Sequence, residues 1–439
     1  MSETQGSTDI SPKLTRIAKL AKDKPGVALW TLAHHIDVNW LREAFRRTRK
    51  DGATGTDGVD AETYGKQLEA NLRSLLERAK SGAYRAPPVR RVHIPKSDGV
   101  QTRAIGIPTF EDKVLQRAVA MVLEAVYEQS FHDFSYGFRP SRSAHQALAN
   151  FRHAAMGMGG GWIVEVDIKK YFDTIDHGHL QAILRQRVRD GVLLRLIGKW
   201  LNAGVLEGNE LSYPSEGTPQ GGVISPLLAN VFLHEVFDEW FARTITPRLR
   251  GKCAVVRYAD DIAMIFSSEG DAMWVLDLLP ARFGRYGLTL HAEKTRLIGF
   301  RRPDLAARFG RPGPGTFDLL GFTHHWGLSR NKKWRVNLRT AKGRFSRTLH
   351  QLNAWCRNHR HDKLKAQHLV LKSKLDGHYE YFGVSTNYEA LIRLRHEARR
   401  IWHKWLSRRS RQPLTWTVMQ RLLERFPLPM PRIKTSIFT

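Results

Sequence analysis

Residues 254–266 read AVVRYADDIAMIF, two apolar runs that meet at Tyr258-Ala259-Asp260-Asp261. The runs have the length and composition of short strands, and the tetrad between them reads as a tight turn. Two adjacent carboxylates in so apolar a setting face both desolvation and like-charge repulsion. Either they stand at a solvated hairpin tip or a cation compensates them. A divalent metal suits the second case, because Mg²⁺ takes a few carboxylate oxygens and completes its shell with water and phosphate.

A second acid-bearing strand lies upstream, where the buried-strand pattern from Trp162 to Ile168 delivers Asp167 at its end (EVDIKKYFD, 165–173). Taken alone, Asp167 reads equally well as a strand-end turn or a cap, and Asp173 and Asp176 read as caps of the following helix. If the two acidic ends lie on neighbouring strands, three carboxylates converge. They can then hold two metal ions roughly 3.5–4 Å apart, the arrangement used for in-line phosphoryl transfer. A third stretch, EGTPQGGVISPL (216–227), places glycines around Gln220 and starts an apolar helix at Ser225-Pro226. Its glycines permit close backbone approach by a base pair or sugar.

Around these motifs the chain is strongly basic. Its 439 residues carry 70 Lys+Arg against 42 Asp+Glu, a formal charge of +28, with 42% hydrophobic residues. That apolar content supports packed cores and excludes general disorder, while the charge excess favours a polyanionic partner through counterion release. Nucleic acid is the leading one. Only Cys253 and Cys356 are present, so a disulfide scaffold and a zinc finger are both excluded. Neither HExxH nor GxxxxGK[ST] occurs. No apolar run approaches the roughly 18 residues of a membrane span, and MSETQGSTDISPK lacks a signal pattern, so a cytoplasmic protein with no membrane partner is expected.

Strands interspersed with helices, without strict βαβ alternation, predict an α+β palm-like domain. A basic helical stretch (Trp40 to Lys50) and a turn cluster (Asp51 to Asp60) open the chain. A basic hairpin follows from Val89 to Ile107, turning at Ser97-Asp98-Gly99, and Thr109 then caps a helix. From about Trp334 the sequence is basic, Trp-rich and read as helical. The expected division is an RNA-binding extension over 1–60, a central domain over 61–330 and a helical domain over 331–439.

Seven blocks, in order, resemble those of a bacterial group II intron-encoded reverse transcriptase/maturase. They are IPKSDGVQTRAIGIPTFEDKVLQ, SYGFRPSRSAHQAL, VDIKKYFDTIDH, TPQGGVISPLLANVFLHEVF, YADD, GLTLHAEKTRLIGF and FDLLGFTHHWG. The C-terminal stretches 377–410 and 414–433 resemble that family's maturase, or thumb, domain. The resemblance implies a right-hand polymerase of fingers and palm followed by an α-helical thumb, copying RNA into DNA. By position, Asp167, Asp260 and Asp261 are the catalytic metal ligands, with the Ile168 carbonyl as a backbone ligand. Two Mg²⁺ ions are implied, with Mn²⁺ as a substitute. Phe172 matches the steric gate beneath the sugar, its plain alternative being core packing. Gln220, Gly221 and Tyr258 match nucleotide-binding positions. Lys96, Arg103 and Arg90 match cations on the triphosphate, against a solvated basic face. Lys294 matches the lysine of a late palm block.

Arg399, Arg400, Lys404, Arg408 and Arg409 are the expected RNA contacts, on a helix whose Trp402 and Trp405 either pack or stack on bases. Implied partners are a group II intron RNA, an RNA template with DNA primer, target DNA and dNTPs, with monomer and homodimer both open. A short form lacking the Cys/His-rich HNH endonuclease is expected, active in splicing and retrohoming. A domesticated enzyme of defence or DNA repair, or a splicing factor with a vestigial polymerase, are the competing classes.

Overall fold

A computed structural model describes residues 10–95, 102–208, 210–213, 216–217, 221–304, 315–329, 331–409 and 412–436. Lys96, Gln220 and the 97–99 turn lie outside the described residues. At the centre is a four-stranded antiparallel sheet in the order Cys253–Tyr258, Asp261–Phe266, Trp162–Val166, Arg296–Gly299. Its alternation sorts side chains to two faces. Val164, Val166, Ile262, Met264 and Phe266 join one core with the helices Ser225–Leu233 and Glu269–Gly284. Ile163, Val256, Ala263 and Ile265 join a second, with Leu148, Phe151, Phe300 and Phe317. Both faces are covered, and the two inner strands are the most deeply buried.

The basic hairpin forms as its alternation requires, Val89–Pro95 pairing antiparallel with Thr102–Ile107. The short strands Val205–Glu207 and Glu210–Ser212 extend that sheet. Thr109 caps the helix Phe110–Tyr127, its hydroxyl accepting from the Asp112 amide at 3.3 Å. The N-terminal segment is not set apart from this body. Helices Ser11–Asp23 and Val38–Arg47 bury Ile17, Ala21, Trp40 and Leu41 in the core that also holds Leu115 and Val119. Trp40 donates from Nε1 to the Ala118 carbonyl at 2.9 Å. Asp190 accepts from the Leu32 and Ala33 amides at 2.7 and 2.8 Å, tying the intervening loop to a palm helix.

The C-terminal part opens with a sheet. Phe317–Leu319, Phe322–Leu328 and Trp334–Thr340 pair antiparallel, so the expected boundary at 331 falls inside the hairpin that the last two form. Helix therefore begins at Lys342 rather than near Trp334. The reason is a period of two: Val336, Leu338 and Thr340 are buried while their neighbours face outward. Helices Lys342–Asn358, Leu364–Phe382, Tyr388–Leu406 and Trp416–Arg425 follow. Trp402 is buried among them and donates to the Gln367 side chain at 2.9 Å. That ring packs.

Within the second core His324 stacks on Phe317 with ring centroids 4.5 Å apart, and neither ring nitrogen has a hydrogen-bond partner. Burial pushes its pKa down to about 3, and the same cause holds His35 and His378 at about 4. An unfolded histidine titrates near 6.5, so on acidification the unfolded chain takes up a proton that the folded one refuses. The stability is complete above about pH 6.5 and drains away as the pH falls toward 3; at pH 5 one such group costs roughly 2 kcal/mol. His324→Phe keeps the stack without the proton. Its melting temperature should fall less between pH 7 and pH 5 than that of the parent, and parallel curves would refute the assignment.

Candidate active site

The central sheet's register gathers the acids. Val166 pairs with Ile262, so Asp167, one residue beyond, lies alongside Asp261, one residue before. Tyr258 pairs with Asp261 across the hairpin, and Ala259 and Asp260 make the turn. Neighbouring strand positions stand about 4.5–5.5 Å apart at Cα, which makes Asp167, Asp260 and Asp261 one acidic cluster. Their oxygens are not drawn into the tightest possible knot. Among the described residues, the trio of His, Cys, Asp or Glu whose ligand atoms all fall within 4.8 Å of one another lies elsewhere. Asp167 leans instead on Lys294, Oδ2 to Nζ at 3.2 Å.

Electrostatics bear the marks of crowding. Asp261 touches solvent on one side, yet surrounding protein, Asp260 and Asp167 push its carboxyl up to about 6, with Arg344 and Lys294 offsetting part of that. Asp260 is likewise raised, by burial and then by Asp167, against the pull of Arg103 and Arg257. Like charges held together this way are what a divalent cation relieves, so the donors fit Mg²⁺ or Mn²⁺: hard oxygens, half-open to water. Around Ile168, a bridge to Leu290 engages the Asp167 carbonyl and the Lys169 amide, each at 2.8 Å, and makes no use of the Ile168 carbonyl.

The other expected residues fall around this cluster at different distances. Arg103 is exposed on the hairpin and near enough to act on Asp260. Arg90 is committed elsewhere, its guanidinium donating to the Thr54 carbonyl at 2.7 and 3.0 Å. Phe172 is half-buried against Tyr171 in a short 3-10 turn. Gly217 abuts the backbone of Phe172 and Asp173, and Gly221 (φ +113°) abuts Gly106 and Ile105 of the hairpin. A Cβ at Gly221 would lie 2.6 Å from the Gly106 carbonyl oxygen, so the close approach these glycines permit is to the protein's own backbone. Gly217 thus rests on the palm and Gly221 on the hairpin.

On the helix Tyr388–Leu406, Arg400 and Lys404 are exposed four residues apart, and Arg408, just past the helix end, is exposed four residues further on. Arg399 instead donates to Gln420 and Arg409 to the His361 carbonyl, both at 3.3 Å.

Sequence reasoning missed what holds the turn. Arg257, fully buried, donates to Asp238 through Nε at 2.7 Å and Nη2 at 2.5 Å, to Asn230 at 2.9 Å, and to the Ala259 carbonyl at 3.1 Å. Burial opposes the charge on Asp238, but Arg257 and His234 outweigh it and leave the carboxyl below its ordinary range. Asn230 also donates to the Gly137 carbonyl at 2.6 Å, and a Cβ on Gly137 would sit 2.3 Å from the Ala259 nitrogen. Ala259 itself is left-handed (φ 56°), a conformation a non-glycine residue holds only when its surroundings impose it. The available signal was polarity in the wrong place: Arg257 inside an apolar strand, Asn230 and Asp238 inside an apolar helix. Arg344, which faces Asp261 from the first C-terminal helix, had no such signal.

Removing one partner of a buried pair leaves the other uncompensated, at a cost of about 3–5 kcal/mol, whereas replacing both by apolar groups is often neutral. Arg257→Met should therefore lower the melting temperature steeply, and Arg257→Met with Asp238→Leu should recover most of the loss. A double variant no more stable than the single would show that the two do not act as a pair.

Residues 94–324 match the family described as reverse transcriptase (RNA-dependent DNA polymerase). Protein YkfC of Escherichia coli K12 is 35% identical over 288 residues, 58% of this chain and 75% of that protein. Group II intron-encoded protein LtrA of Lactococcus lactis is 39% identical over 251 residues, 54% of this chain but 41% of LtrA. A 91 kDa protein in the cob intron of Schizosaccharomyces pombe is 34% identical over 248 residues, and this chain spans 29% of its length. With its acidic strand ends on a buried antiparallel sheet and more than half its length inside the matched region, the chain belongs to the reverse transcriptase family.

Proposed function

We propose that the chain extends a DNA primer on an RNA template and, as a maturase, grips a group II intron RNA whose splicing and retrohoming it assists. The observation that carries the polymerase reading is the register of the central sheet, which sets Asp167 beside Asp261. The carboxylates of Asp167, Asp260 and Asp261, with the Ile168 carbonyl, would hold two Mg²⁺ ions that supply Lewis-acid activation of a primer hydroxyl and neutralise phosphate charge. The remaining roles belong to the chain itself. Arg103 and Lys96 orient a triphosphate, Arg suiting bidentate contact and Lys acting as a point charge. Phe172, its backbone against Gly217, supports the sugar and crowds its 2′ position. Lys294, whose Nζ pairs with Asp167, releases a proton toward departing pyrophosphate.

Asp261→Asn should abolish Mg²⁺-dependent primer extension while RNA affinity is retained, and synthesis persisting at parental rate would remove the metal assignment. The same assay supplied with ribonucleotides reads Phe172→Ala, which should admit them; unchanged sugar discrimination would make Phe172 a packing residue only.

The maturase reading rests on the charge of +28 and on the exposed Arg400, Lys404 and Arg408 row. A phosphate contact contributes about 0.7–0.9 to the salt slope of binding. Replacing those three by Ala should flatten the slope for structured RNA by about two units, and an unaltered slope would place the RNA on another face. No helix among the described residues is long and apolar enough to cross a membrane.

A further inference from the structure

Behind the catalytic turn, on the far side of Asp238, lies a second cluster of metal-ligating groups. His132 Nε2 is 2.8 Å from Glu239 Oε1, and His234 Nε2 is 3.7 Å from the same oxygen. Three donor atoms here fall within 4.8 Å of one another. The helix that starts at Ser225 explains the alignment. Over His234–Glu239 it widens into a π-helical turn, whose i→i+5 closure brings Asp238 and Glu239 together over His234. His132 arrives from the loop after helix Phe110–Tyr127, its ring stacked on Phe134 at 5.0 Å.

We propose that His132, His234 and Glu239 bind one borderline transition-metal ion of the Zn²⁺ type, separately from the catalytic acids. Bonds of 2.0–2.1 Å in a tetrahedron set donors roughly 3.3 Å apart, between the two spacings observed. Two imidazoles and one carboxylate select Zn²⁺ or Co²⁺ over Mg²⁺, whereas the oxygen-only cluster on the sheet selects the reverse. The surroundings match a metal-ligating histidine, which almost always offers its other ring N–H to a carboxylate, a backbone carbonyl or water. His234 Nδ1 lacks a hydrogen-bond partner and faces Asp238 Oδ2 at 3.6 Å. Glu239 is steadied on its other oxygen by Arg243 at 2.7 Å, and its Oε1, hydrogen-bonded to His132 Nε2 in this structure, is the oxygen the ion would take from that bond. His132 and Glu239 keep some solvent exposure, which provides a path in. A cation at Nε2 fixes the tautomer that donates to Asp238, and Asp238 holds Arg257 on the Ala259 carbonyl. The ion thus braces the catalytic turn from behind.

The test uses the full chain, stripped by chelation and titrated with Co²⁺ in excess Mg²⁺, the Mg²⁺ occupying the carboxylate cluster. One equivalent of Co²⁺ with the intense visible band of a tetrahedral nitrogen-containing site is expected, displaced by Zn²⁺. His132→Ala and Glu239→Gln should each weaken it at least tenfold, while Asp261→Asn leaves it intact. Should either variant fail to fold, the other carries the comparison, and Zn²⁺ should raise the parent's melting temperature but not the variant's. Absence of the band, a band indifferent to His132→Ala and Glu239→Gln, or one lost with Asp261→Asn would overturn the site.

Discussion

A single guanidinium, sealed from water, organises the acidic end of the palm. Arg257 shares its strand face with Cys253 and Val255, which pack on the core beneath the palm helices, and its side chain is fully buried there. In that place its charge is tolerable because Asp238 meets it with two oxygens and Asn230 and Ala259 accept from Nη1. Coulombic gain in such a pair roughly cancels desolvation, so its value lies less in stability than in geometry. The carbonyl it grips belongs to a residue in a left-handed conformation next to two carboxylates that repel each other. Without a fixed anchor, both strain and repulsion would relax by moving the turn.

Seen from the acids outward, the site is a balance of signs. Asp260 and Asp261 are pushed toward protonation by burial and by each other, and the opposing cations come from separate parts of the chain: Arg103 from the basic hairpin, Lys294 from the segment before the last palm strand, Arg344 from the C-terminal helices. The hairpin, the palm and the first C-terminal helix therefore all project onto one spot. The glycine-bearing segment reinforces the link, Gly217 resting on the Phe172 turn and Gly221 on the hairpin strand.

Much of this was legible in the residues, for identifiable reasons. Period-two runs such as Trp162–Val166 and Asp261–Phe266 are buried on both faces, and the Thr109 and Asp176 side chains accept the capping bonds their positions require. Acids at the ends of apolar runs were visible, whereas their convergence depends on the long-range pairing of Val166 with Ile262. Longer-range facts were hidden. Nothing local marks the π-helical widening after Leu233, since a 3.6-residue apolar period continues through it. The Arg257–Asp238 pair joins residues nineteen apart whose partnership is visible only once both are seen to be buried. The Trp334–Thr340 strand was masked by its basic, Trp-rich composition, although its alternation was present. Arg399 and Arg409 were indistinguishable from Arg400 and Arg408 until the structure showed which of them bond within the protein.

That last strand carries a practical lesson for anyone cutting the gene. Trp334–Thr340 is zipped along its whole length to Phe322–Leu328, and the shared core runs from palm residues such as Ile265 to Leu394 far downstream. Dividing the protein at residue 330, where composition changes, would leave each half with a naked apolar edge of the kind that seeds aggregation. Polymerase and helical bundle are in this respect one folding unit, and chimaeras that swap the C-terminal part should carry the hairpin with it.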